Sequence, residues 1–193
     1  MEFDTILRPA NLWSPTEVLN SPSPVPRLAG LYGWYFADPP PSVPLQDCIY
    51  SHGRWLLYVG ICPAGPPPAN AEPTRRTLRE RLRTHIRGRA DASTLRLTLG
   101  CILIDELELT LSPRPTDKRL DFGTGEDLLT GWIAPHGSVV WMTHSQPWTL
   151  EIPLIRAAKP PLNLAHNQAH PFHNHLSKLR RECTRKARSP WRS

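Results

Sequence analysis

Proline placement constrains this chain more than any other feature. Twenty-three of its 193 residues are proline. Each fixes φ and removes a backbone donor, which closes helix interiors and central strand positions to it. Clusters fall at Pro9, Pro15, Pro22, Pro24 and Pro26, at Pro39-Pro40-Pro41 and Pro44, at Pro63, Pro66, Pro67, Pro68 and Pro73, at Pro113 and Pro115, and at Pro160-Pro161. Regular structure is confined to the windows between them.

The windows 28–36 and 55–61 are apolar and aromatic and read as strands, with the prolines between them excluding a continuous helix. They predict a hairpin carrying Tyr32 and Tyr58. A helix is predicted from a Thr74 cap to Gly88. Leu78, Leu82 and Ile86 share one face of it, Arg79, Arg83 and Arg87 a second, and Arg81 and His85 lie one turn apart on a third. Residues 93–104 predict another helix, although their apolar density also suits a strand. Residues 105–124 mix charges with proline and glycine and read as a loop, and 126–133 as a short helix. Ser138 to Thr143 make a third strand. Pro147 opens a helix carrying Glu151 that ends by Lys159. Phe172, Leu176, Leu179 and Cys183 recur at helical spacing, predicting an amphipathic C-terminal helix. Ser14 before Pro15 predicts a short capped helix within a proline-rich arm, residues 1–27. The expected fold is therefore α+β: a small three-stranded mixed or antiparallel sheet flanked by helices, with helix exceeding strand. One domain, 28–165, carries insertions at 61–73 and 105–124 and is followed by a basic helix and tail, 166–193.

Two short strings, Gly30-Leu31-Tyr32 and Tyr58-Val59-Gly60, precede Arg81 and His85 four residues apart, then Glu151, then Asn163. This ordered set resembles the GIY-YIG nuclease superfamily over residues 28–163. Three-residue motifs recur by chance; five elements in the right order are far more specific. The long loop after Gly60 and the small size look more like restriction-type members than repair incision enzymes. The resemblance implies a metal-dependent endonuclease that hydrolyses DNA phosphodiester bonds with one Mg2+ (or Mn2+) held by Glu151. Tyr32, Tyr58, Arg81, His85 and Asn163 are the implied catalytic residues. Arg81 clamps the phosphate with its planar fork. Tyr32 or His85 acts as general base, and Asn163 orients a phosphate or fixes Glu151.

Each residue also has a plainer reading. Strand tyrosines are usually packing residues, Arg81 belongs to a solvated basic face, and Asn163 after two prolines is an ordinary turn residue. Glu151 is sharper, because it interrupts an apolar run where an unpaired carboxylate is costly. A catalytically silent nucleic-acid-binding module on the same fold is the alternative function. The histidines at 166, 170, 173 and 175 have no cysteine pair or acidic partner beside them, which makes a zinc site a weak reading.

The formal net charge of +6 equals the surplus of the last eighteen residues, where Lys178, Arg180, Arg181 and Arg185 cluster with further arginines and one glutamate. With Arg79, Arg83 and Arg87 they are the expected nucleic-acid-binding residues, for DNA with RNA also compatible. The four cysteines show no ligand-like or disulfide spacing. No basic, apolar leader or membrane-length apolar run is present, so a cytoplasmic protein without a membrane partner is expected. Cutting both strands with one site per chain suggests a homodimer or sequential nicking.

Overall fold

A computed structural model describes residues 2–66 and 77–189. Its central sheet is wholly antiparallel and has four strands, β1 (Gly30–Phe36), β2 (Tyr50–Ser51), β3 (Arg54–Cys62) and β6 (Gly137–Thr143), in the order β2-β3-β1-β6. The expectation of three strands is corrected by β2. This strand is two residues long and joins β3 through a two-residue turn at His52 and Gly53, both at positive φ (52° and 72°). Such turns match the twist of a hairpin. Tyr50-Ser51 was too short to register as a strand by composition.

The described helices are α1 (Asp4–Leu7), α2 (Pro15–Leu19), α3 (Leu78–Arg87), α4 (Thr94–Ile102), α5 (Gly125–His136), α6 (Glu151–Ala158) and α7 (His173–Arg188), so helix exceeds strand as expected. Ser14 and Glu17 form a reciprocal capping box on α2. The expected cap of α3, Thr74, lies outside the described residues, as does the rest of 67–76; Thr77 accepts from the Glu80 amide at the helix start. Residues 94–102 are helix rather than strand. The excursion between α4 and α5 contains a two-stranded ribbon, β4 (Ser112–Pro113) with β5 (Leu120–Asp121).

Alternation along β1 divides the core into two layers. Tyr32, Trp34 and Phe36 face Leu82, Ile86, Leu95, Leu99, Leu129 and Leu176 of α3, α4, α5 and α7. Leu31 and Tyr35 face Ile6 of α1 and Leu154 and Ile155 of α6. The N-terminal segment is built into this core, with Ile6 and Val18 fully buried and Trp13 bridging the backbone of Val139. The register sets Tyr32 opposite Gly60 and Trp34 opposite Tyr58, so both tyrosines point to the α3 side. No described helix is long and apolar enough to cross a membrane.

Candidate active site

The α3 face that packs on the sheet also carries the polar residues of the site. Tyr32 and His85 are 1 % and 0 % exposed, and the Tyr32 hydroxyl lies 2.8 Å from His85 Nε2. Arg81 Nε donates to the same hydroxyl at 3.2 Å, and its NH1 donates to the Ala92 carbonyl at 2.9 Å. One turn of helix between Arg81 and His85 therefore converges both on one phenol. The Tyr58 ring meets the His85 ring edge-on at 5.9 Å between centroids.

Gly60 makes this arrangement possible. A Cβ there would collide with the Tyr32 hydroxyl and come within 2.6 Å of its ring carbon Cζ. The glycine of the second string is thus the floor on which the tyrosine of the first string lies.

His85 Nδ1 is bound to Ser93 Oγ at 2.7 Å, and Ser93 caps α4 by accepting from the Arg96 amide at 3.1 Å. Both imidazole nitrogens are occupied. Burial, with the charges of Arg81 and Arg96 adding to it, holds the His85 pKa well below that of free histidine. The imidazole is neutral at pH 7. Because the unfolded chain binds the proton near pH 6.5 and the folded chain only lower, this contribution to stability is complete above about pH 6.5 and declines as pH falls. The melting temperature is expected to drop between pH 7.5 and 5.5, and His85→Gln should flatten that portion of the profile; parallel profiles for the two proteins would refute the assignment.

Burial likewise pushes the Tyr32 phenol far above its usual value, with Tyr58 adding to the shift and Arg81 opposing it. Tyr58 is raised by burial and by Glu151, while Arg81 and Arg180 pull it down. The first turn of α6 thus brings Glu151 within electrostatic reach of the tyrosine side, although α6 packs on the opposite layer. Glu151 is half-buried, and burial raises its pKa against the partial influence of His166. Among the described residues no cation lies within ion-pair distance of its carboxylate, and no three His, Cys, Asp or Glu side chains form a metal-holding group.

Asn163 acts differently from the other residues. Its Oδ1 accepts from the Val59 amide at 3.0 Å and its Nδ2 donates to the Val59 carbonyl at 2.9 Å. Leu162 N donates to the Leu57 carbonyl at 3.0 Å. Together they satisfy the edge of β3 beyond the short β2, with the carboxamide standing in for a strand peptide. These bonds fix the strand that carries Tyr58 and Gly60.

The expected nucleic-acid-binding residues separate in space. Arg79 donates to the carbonyls of Val25 (2.7 Å) and Ser23 (3.4 Å), tying α3 to the N-terminal segment. Arg83 is half-buried and Arg87 exposed on α3. Lys178 pairs with Glu182 at 3.9 Å. Arg180 is half-buried on the side of Tyr58, while Arg181 and Arg185 are exposed along α7.

Sequence reasoning passed over Arg96 and Glu126. Arg96 is 0 % exposed, with Nε and NH2 on Glu126 Oε2 (3.0 and 2.7 Å) and NH1 on the Ile86 carbonyl at 2.7 Å. Glu126 Oε1 accepts from the amides of Ala90 (2.7 Å) and Phe122 (3.3 Å). This pair clamps the end of α3, and with it His85, to α4 and α5. One signal was present in the sequence: Arg96 is a lone charge between Leu95 and Leu97.

Residues 30–182 match the family model described as the GIY-YIG catalytic domain. No curated protein and no solved structure matches the chain.

Proposed function

Because the chain belongs to the GIY-YIG catalytic-domain family, a family of nucleases, we propose that it is a metal-dependent endonuclease that hydrolyses DNA phosphodiester bonds. The observation that carries this reading is the convergence of His85 Nε2 and Arg81 Nε on the Tyr32 hydroxyl, at 2.8 and 3.2 Å, with Glu151 acting electrostatically on Tyr58.

Glu151 fits a magnesium ion held through one protein carboxylate, with waters and the substrate phosphate completing the shell. A half-buried carboxylate with no cation within ion-pair distance among the described residues is the donor such a site needs. When bound there, Mg2+ or Mn2+ would polarise the scissile phosphate and stabilise the leaving oxygen.

The protein's own groups divide the remaining work. Arg81 keeps part of its guanidinium fork beyond Tyr32 and Ala92, and this part engages a non-bridging phosphate oxygen. Tyr32 takes the proton from the attacking water, and His85 takes the proton that Tyr32 gives up. This order follows from connectivity, since the imidazole nitrogens are bound to Tyr32 and Ser93 and a proton from the cleft reaches His85 through the phenol. In the free protein the phenol stays protonated. The phenolate would be favoured by a divalent cation held at Glu151, and Arg81 stabilises it by donating to its oxygen. Asn163 acts through Val59 as a positioning residue.

Purified protein is expected to relax supercoiled plasmid in the presence of magnesium and to stop when EDTA removes it. DNA binding without cutting across several substrates and metals would instead support the silent binding module. A protein that cuts RNA but not DNA would move the substrate assignment.

A further inference from the structure

Three clefts on the α3 and α7 side share lining residues. The first, about 440 Å³, lies between the end of β3 and α3 and includes Cys62, Glu80 and Arg81. The second, about 510 Å³, shares Arg81 and adds Asp91, Arg119, Thr184 and Arg188. The third, about 630 Å³, shares Thr184 and Arg188 and adds Arg180, Arg181 and Arg185. Arg81 therefore joins the first to the second, and α7 joins the second to the third.

The charge along this line is one-sided. Of the two acidic residues lining it, Asp91 is engaged by Arg114 at 3.3 Å and Arg119 at 3.8 Å. Arg119 also lies 3.7 Å from Asp117 and is largely exposed. Glu80 is exposed at the first turn of α3. Among the described residues, no carboxylate lies within ion-pair distance of Arg180, Arg181, Arg185 or Arg188. Like charges three and four residues apart on a helix repel one another, which a bound polyanion would relieve. The helix bearing them is anchored: Leu176 and Cys183 are buried in the core shared with Leu99 and Cys101 of α4. The wall is therefore fixed on the body of the domain. No described lining residue of the three clefts is aromatic, so bases have no stacking platform along it.

We propose that these clefts form one trough that binds a nucleic-acid backbone through its phosphates, entering along Arg181, Arg185 and Arg188 of α7 and ending at Arg81. Arg119 and Arg188 carry the backbone across the middle. Contacts of this kind position the chain and supply affinity without reading sequence. Only the scissile end at Arg81 rests on the nuclease reading; the binding path does not need it.

The test is binding of a fluorescently labelled duplex in EDTA, where no cutting is required, followed by anisotropy across a series of potassium chloride concentrations. Arg181→Gln/Arg185→Gln/Arg188→Gln is compared with a control that loses equal charge elsewhere, Arg8→Gln/Arg156→Gln/Lys159→Asn. Each lost phosphate contact should lower the slope of log K against log salt by about 0.9. The α7 variant is expected to lose roughly two to three units of slope, equally for unrelated sequences, and to bind more than tenfold more weakly at low salt. Arg188→Gln alone should lose about one unit. The substituted side chains are exposed, and an unchanged melting temperature verifies the fold. An unchanged slope, as expected if α7 serves an acidic protein partner, or an equal loss in the control, would overturn the trough. Absence of plasmid cutting with the α7 effect intact would overturn the nuclease reading alone.

Discussion

Glu151→Gln is expected to lower the metal-dependent cutting rate by at least about 10³-fold, roughly 4 kcal/mol of transition-state stabilisation, while leaving DNA affinity in EDTA unchanged. The carboxylate carries the cost of its own burial, seen as its raised pKa, with no ion pair among the described residues to offset it. Glutamine has nearly the same shape and no charge to desolvate. The melting temperature should therefore stay the same or rise, as for residues kept for function at the expense of stability. A variant that loses activity only because it unfolds, or that cuts at the wild-type rate, would remove Glu151 from the metal role. Arg81→Ala should lose about 10²- to 10³-fold in rate as a missing charge-stabilising donor. Arg81→Lys should recover little of this, because an ammonium cannot bond both Tyr32 and Ala92 while engaging phosphate as a fork.

The largest effect on stability is expected at Arg96. Arg96→Met leaves the Glu126 carboxylate buried without its cation and frees the Ile86 carbonyl at the end of α3. Breaking one side of a buried pair typically costs about 3–5 kcal/mol. For a domain of this size, that corresponds to a fall of roughly 6–20 °C in melting temperature. Arg96→Met/Glu126→Gln should recover part of the loss, since no uncompensated charge then remains, and a double-mutant cycle measures the coupling. Additive losses would show that the two side chains stabilise the fold independently. Activity should fall with Arg96→Met even at temperatures where the protein is folded, because His85 sits on the released turn and loses the nearby charge that helps keep it neutral.

That Tyr32, Tyr58, Arg81 and His85 come together was legible in the sequence, and the hydrogen bonds that join them were not. Tyr32, Tyr58, Arg81 and His85 meet because two strand strings and one helical turn each obey a local period, and periods can be read from sequence. Glu151 stood out as a charge in an apolar run. The same argument applied to Arg96 and was missed, because an arginine in a helix can extend its charge to solvent whereas this one turns inward to a carboxylate thirty residues away. Asn163 was placed at the site by order along the chain, but its hydrogen bonds to Val59 depend on β2 being too short to cover the β3 edge.

The basic residues show the same division. Arg79, Arg83 and Arg87 form a stripe on a helical wheel, yet Arg79 is spent on the carbonyls of residues 23 and 25. Arg188, one of the further arginines of the basic C-terminus, and Arg119, which carried no special signal, line the cleft that meets Arg81.

By itself the sequence determined the three long strands, most of the helices, the two tyrosine strings and their order relative to the helix, because proline placement and hydrophobic period act over a few neighbouring residues. Only the tertiary structure decided the fourth strand, the pairing of Arg96 with Glu126, the use of Asn163 on the β3 edge and the alignment of α7 with Arg81. Those depend on partners tens of residues apart, whose meeting is set by the packing of two core layers around one sheet and leaves no periodic trace in the chain.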